Sequence, residues 1–137
     1  MTTPLGSAWA RSVWGRSARR RSALDALRDA VADGRAEVVA EMLHRAVTLV
    51  VDGGGRVSAP SAPVRGRHAA AAGLVDVLPR DADSAATVAS VNGAPALVVR
   101  RGAEVVAVVV TALRGRRIAT MWVVVNPDKL VHWNRSS

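Results

Sequence analysis

The chain contains no cysteine, no tyrosine and no phenylalanine, and of its 19 basic residues only Lys129 is a lysine. The missing cysteine excludes a disulfide framework, a thiolate metal site and a cysteine nucleophile. Half of the 137 residues are apolar, but they are mostly Ala and Val. The core must therefore be built from small branched side chains, with Trp122 and Trp133 as the bulky aromatics of the folded part. Such a core leaves cavities open more readily than one filled by Phe and Tyr. Three histidines, His44, His68 and His132, stand apart with no acid at ligand spacing, so no metal and no cofactor is expected. His44 follows a helix pattern closely enough to be read as a protonated helix-end residue. The run from Val105 to Leu113 has strand length, not the length of a membrane span. Arginines near the N-terminus are not followed by an apolar stretch of signal-peptide type, so a cytoplasmic, membrane-free protein is expected.

What is present begins with charge. The formal net charge is +8, but residues 1 to 21 hold Arg11, Arg16, Arg19, Arg20 and Arg21 with no acid. Residues 22 to 137 carry 14 basic and 11 acidic groups, an ordinary surface for a globular domain. The excess of Arg over Lys fits a GC-rich coding bias, and direct DNA binding is not expected. A nonspecific, salt-dependent nucleic-acid contact through the arginine arm is a third and weaker reading. The length suits a single domain with a real core, residues 22–137, preceded by a basic arm over 1–21 that is poorly ordered or weakly helical.

Periodicity supplies the elements. Leu24, Leu27, Ala30 and Val31 share a helical face over Ser22 to Ala32, with Ser22 as N-cap and Gly34 as terminator. A second helix is predicted over Ala36 to Arg45, then a strand from Ala46 to Val51. Val57 to Ala59 is the candidate returning strand, and a third helix is predicted over Arg67 to Leu78, stopped by Pro79. Four strands follow, at about 86–91, 96–101, 105–113 and 118–125. Their connections carry the turn residues Asn92-Gly93, Gly102 and Gly115, which predicts an antiparallel meander. Helices first and hairpin-linked strands afterwards give an α+β fold, with a curved sheet wrapped against helices.

Two short runs are chemically distinctive. Asp52-Gly53-Gly54-Gly55 follows the first strand, and Asn126-Pro127-Asp128-Lys129-Leu130 follows the last. Turn chemistry accounts for the first: three glycines permit positive φ, and Asp starts the turn. It also leaves bare backbone that another protein could approach closely. A phosphate cradle fits poorly, because no Lys-Ser/Thr follows and the run opens no helix. Cap chemistry accounts for the second: Asn126 as N-cap, Pro127 at the first helical position, Asp128 at the positive end of the dipole, and Leu130 with Trp133 packing the helix back.

In their order along the chain, these runs resemble the SnoaL-like group of the nuclear transport factor 2-like superfamily. The resemblance is to the C-terminal accessory domain of a group of extracytoplasmic-function RNA polymerase sigma factors. Val91-Asn92-Gly93-Ala94-Pro95-Ala96-Leu97-Val98-Val99 and Pro63-Val64-Arg65-Gly66 are similar to the same group. The resemblance implies a cone of N-terminal helices on a curved, mostly antiparallel sheet. It also implies a regulatory role for Asp52 to Gly55 and Asn126 to Leu130 against a sigma-factor body or RNA polymerase, and homodimerisation through the outer sheet face. The helical sigma domains and the Trp-Leu-Pro-Glu-Pro linker of that group have no counterpart in these residues.

Enzymes of the superfamily use buried acids with Tyr or Asp donors. Here Tyr is absent, and the strand interiors 47–51, 96–99, 105–110 and 121–125 contain no acid. No catalytic residue is assigned, and a non-catalytic interaction domain is the first expectation. The alternative is a cyclase- or isomerase-type domain, or one binding an apolar small molecule in the cone, with Asp76, Trp122 and Asn92 as candidate pocket residues.

Overall fold

The computed structural model describes residues 4–54, 62–91 and 93–135, with side chains over 18–54, 62–90 and 93–131. Gly55, the segment Val57 to Ala59, Asn92 and the side chains of His132 and Trp133 lie outside the described residues. Helix α1 spans Pro4–Ala32, α2 Ala36–Glu41, α3 Arg67–Val77 and α4 Pro127–Arg135. The strands are β1 Leu43–Asp52, β2 Val64–Arg65, β3 Ser84–Val91, β4 Ala94–Arg101, β5 Glu104–Arg114 and β6 Arg117–Val124.

Helix α1 is longer than the apolar periodicity predicts. Ser22 is no cap, because the helix runs on through the arginine-rich segment, whose Ala and Arg residues are good helix formers. Its C-terminus is the expected one. Gly34 adopts φ +66°, its N–H donates to the Val31 carbonyl at 2.9 Å, and the Arg35 N–H donates to the Ala30 carbonyl at 3.1 Å. These two bonds satisfy carbonyls that the helix end would otherwise orphan.

Helix α2 is shorter than predicted. Met42 and Leu43 continue its apolar spacing, but Leu43 pairs with Ile118 and the Ile118 N–H donates to the Met42 carbonyl at 3.0 Å. Pairing with a strand 75 positions away overrides the local helical pattern. The chain therefore enters β1 three residues early.

The six strands lie in the order β2-β1-β6-β5-β4-β3. The predicted meander β3–β6 is antiparallel throughout. Strand β1 runs parallel to β6, with Asp52 opposite Val124. Inner-face residues Leu49, Leu97, Val109, Met121 and Val123 pack with Leu24 and Leu27 of α1, Val39 of α2 and Leu74 of α3 to form the main core. A second cluster lies on the outer face, where Leu130 of α4 covers Ala96, Val98, Val105 and Val108. Val105 to Val109 is thus shielded on both faces, and Val110 is not.

Candidate functional site

The two distinctive runs meet. Because β1 and β6 are parallel neighbours in register, their C-terminal ends fall side by side. The Val125 N–H donates to the Asp52 carbonyl at 2.9 Å, extending the ladder past the end of β6. Asp52 Oδ1 accepts from the Gly54 N–H at 3.2 Å, closing an Asx-type turn, and from Asn126 Nδ2 at 3.3 Å. Asp52 Oδ2 is ion-paired with Lys129 Nζ, one turn into α4. Asn126 Oδ1 accepts from the Asp128 N–H at 3.1 Å, and its carbonyl accepts from the N–H groups of Lys129 and Leu130, so Asn126 caps α4 as expected. One carboxylate thereby holds a turn, a cap residue and a helix, and fixes α4 against the outer sheet face.

The electrostatics follow from this geometry. The hydrogen bond and charge of Lys129, then the Asn126 amide and the Gly54 N–H, hold the Asp52 carboxyl below the usual carboxylate range against partial desolvation. At the same end of the sheet, Asp81 accepts from Ser84 Oγ at 2.6 Å and from the Arg101 guanidinium at 3.1 and 3.2 Å. These contacts bring its carboxyl down to about 2. His44 behaves in the opposite way to the sequence expectation. It lies in β1, its Nδ1 accepts from the Ala46 N–H at 3.0 Å, and desolvation together with Arg114, Arg45, Arg67 and Arg117 lowers its pKa. It is a neutral acceptor, not a protonated helix cap.

The signs give a testable profile. Depressed carboxylates contribute stability above their unfolded pKa and lose it as pH falls through the folded value. A depressed imidazole contributes stability lost as pH falls below its unfolded value near 6.5. Thermal midpoints should therefore decline gently on acidification below about 6.5 and steeply from the ordinary carboxylate range toward about 2. His44→Asn should remove the first decline and leave the second, as scanning fluorimetry across pH can establish.

Of the candidate pocket residues, Asp76 and Trp122 are not brought together, and Asn92 lies outside the described residues. Asp76 is exposed on α3, because Ala70, Ala71, Leu74 and Val75 take the inward face. Trp122 does point away from Met121 and Val123, but onto the outer face, where it is 44% exposed. It is therefore not part of the core. Both readings are corrected for the same reason: each side chain lies on the far side of its element from the cone. Trp122 sits between its register partners Val50 of β1 and Val110 of β5, a row of apolar side chains across three strands with Val110 also exposed. Sequence reading missed this row, although the alternation of Met121, Trp122 and Val123 contained it.

An open groove of about 850 Å³ lies at the other end of the strands, between α1, the end of α2 and the β5–β6 turn. Its floor is Ala23, Ala26, Met42, Leu113 and Ile118, and its rim carries Arg19, Arg116, Arg117 and Glu41. Arg117 is fixed there by donating to the carbonyls of Glu41 at 2.7 Å and Leu43 at 3.4 Å. Among the described residues, buried polar or charged side chains are confined to Thr111 and Asn126.

Solved structures with this arrangement identify the fold. The sigma factor SigJ of Mycobacterium tuberculosis, an extracytoplasmic-function sigma factor, is 20% identical with a TM-score of 0.57, over 91% of this chain and 48% of that one. A proposed ketosteroid isomerase from Kribbella flavida is 17% identical with a TM-score of 0.53, over 79% and 78% of the two chains. A nuclear transport factor 2-like protein of unknown function from Burkholderia xenovorans is 12% identical with a TM-score of 0.56, over 86% and 94%. The fold is that of the nuclear transport factor 2-like proteins. The chain spans about half the length of SigJ. No protein-family model and no curated protein matches the chain. Within this fold, no helix among the described residues is long and apolar enough to cross a membrane.

Proposed function

We propose that the chain is a non-catalytic interaction domain. Its docking surface would be the outer sheet face, formed by the Val50–Trp122–Val110 row and by α4 held in place through Asp52, Asn126 and Lys129. The observation that carries this reading is the convergence of the two runs. Their most distinctive side chains are spent on fixing α4 beside an exposed apolar row, not on lining a cavity. An exposed Trp in an apolar row is the kind of anchor that dominates protein interfaces.

The partner class follows from SigJ, a sigma factor that includes this fold in one chain. The surface is assigned to a helical sigma-factor body, alone or within RNA polymerase. In isothermal titration against an extracytoplasmic-function sigma-factor body from the same cell, Trp122→Ser should weaken binding by about 2 kcal/mol, the usual cost of losing an aromatic anchor. The variant should keep its thermal midpoint, since Trp122 lies outside the core. Undiminished affinity would remove the outer face from the interface. A second copy of the chain on the same face is the competing occupant, and sedimentation velocity of the wild type against Trp122→Ser separates the two.

The groove favours a second reading, a site for an apolar small molecule. Its floor is aliphatic and lies on the cone side of the sheet. A thermal-shift screen with hydrophobic ligands tests it: a hit should be lost in Leu113→Trp, which fills the groove, and retained in Trp122→Ser.

A further inference from the structure

Net charge conceals how the charges are placed. Strand β1 carries His44 and Arg45 directly after its first residue, Leu43, and ends at Asp52. Strand β5 begins at Glu104 and ends at Arg114, which faces Arg117 across the turn into β6. Helix α3 begins at Arg67 and carries Asp76 in its last turn. Since β5 is antiparallel to β6, and β6 is parallel to β1, the basic ends coincide, and so do the acidic ends of the two strands. An 11-residue strand separates the two ends by roughly 35 Å.

At the basic end, Arg45 follows His44 in β1, Arg114 and Arg117 pair across the β5–β6 turn beside the start of β1, and Arg67 opens α3. Arg116 and Arg19 continue this ridge along the groove toward α1, with Glu41 on the same rim. Arg45, Arg67, Arg114 and Arg116 are exposed, and none forms an ion pair among the described residues. Outside the ridge, residues 22 to 137 hold nine basic and eleven acidic groups, so the remainder of the domain is net negative. Like charges gathered this closely repel one another, which disfavours the cluster unless an anion offsets it.

We propose that this arginine ridge binds the phosphate backbone of duplex nucleic acid without reading its sequence. The guanidinium fork matches phosphate in a bidentate manner, and here the forks stand on strand and helix ends rather than on a long loop. Among the described residues the ridge carries no Trp for stacking unpaired bases and no amide for reading base edges, and the half-buried His44 ring already accepts the Ala46 N–H at its Nδ1. Among its described residues it also lacks the Trp anchor that an acidic protein segment would be expected to engage. Phosphate contact is the recognition that remains, and the duplex supplies it at high density. The proposal departs from the expectation of no direct DNA binding, which rested on the net count over 22–137, by weighing where five of those arginines stand. The proposal does not depend on the sigma-body interface, which uses the opposite end and outer face of the sheet.

The test is fluorescence anisotropy of the full chain with a labelled random-sequence DNA duplex over a range of KCl concentrations. The comparison is the quadruple variant Arg45→Gln, Arg67→Gln, Arg114→Gln and Arg116→Gln, with Arg117 spared for its bonds to backbone carbonyls. The variant should bind at least about tenfold more weakly near physiological salt, and the slope of log K against log[KCl] should fall by about 3 to 4. Two duplexes of unrelated sequence should give the same result. The arginine arm is intact in this variant, so an unchanged slope with a native circular dichroism spectrum would assign binding to the arm and overturn the proposal. Poly-glutamate competing as well as the duplex, charge for charge, would also overturn it, in favour of an acidic protein segment.

Discussion

Gly54→Val should lower the thermal midpoint by roughly 10 °C, corresponding to about 2 to 4 kcal/mol at this chain length. Gly54 holds φ +65°, a conformation that a β-branched residue adopts only under strain. A Cβ built there would lie 2.4 Å from Asn126 Oδ1 and 2.7 Å from its Nδ2. Asn126 cannot simply turn aside. Its amide nitrogen is committed to Asp52 and its amide oxygen to the first turn of α4, so moving it breaks the cap and the link to the first run together.

Asn126→Ala removes the obstacle at the cost of the cap, about 1 kcal/mol. Gly54→Ala and Asn126→Ala should therefore combine to a loss clearly smaller than the sum of the single losses, as chemical denaturation of the four proteins would measure. Additive losses would mean that the two runs do not share one structural unit.

Leu49→Ala should destabilise by about 2 to 5 kcal/mol, the range for emptying a fully buried leucine site. Leu49 is buried on the inner face of β1 and lies beneath Gly73 of α3. A Cβ at Gly73 would come within 2.9 Å of Leu49 Cδ2, so the glycine lets the helix seat closely on the strand despite its low helix propensity. In the wild type, Gly73→Ala sets a gain of about 1 kcal/mol in helix propensity against overpacking of comparable or larger size. In the Leu49→Ala background the same substitution meets a hole instead of a methyl group. It should then be stabilising, so the sign of Gly73→Ala is expected to depend on residue 49.

Local chemistry was legible from the residues, and long-range pairing was not. Gly34 terminates α1, Gly93, Gly102 and Gly115 turn the meander, and Asn126 caps α4, each because a backbone conformation or an orphan N–H demands that residue type. The early start of β1 was hidden, because Met42 and Leu43 satisfy a helical face until Ile118 arrives as a strand partner. The site shows the same division. The position of each run after a strand was readable, but not that β1 and β6 are parallel neighbours, which brings Asp52 to Asn126 and Lys129 across more than seventy residues. Asp76 and Trp122 are the residue types that a pocket would use. Which side of α3 and of the sheet they occupy was decided by Leu74 and by Met121 and Val123 taking the core side.

The proposed docking surface has the two runs fix α4 beside the exposed outer row. It is tested most directly by the affinity of the full chain for an extracytoplasmic-function sigma-factor body, compared among the wild type, Asn126→Ala and Trp122→Ser. Both variants should bind at least about tenfold more weakly, a step worth 1.4 kcal/mol. Asn126→Ala acts by releasing α4 and Trp122→Ser by removing the anchor. Affinity unchanged in both variants, with native spectra, would mean that neither α4 nor the outer row contacts the sigma-factor body.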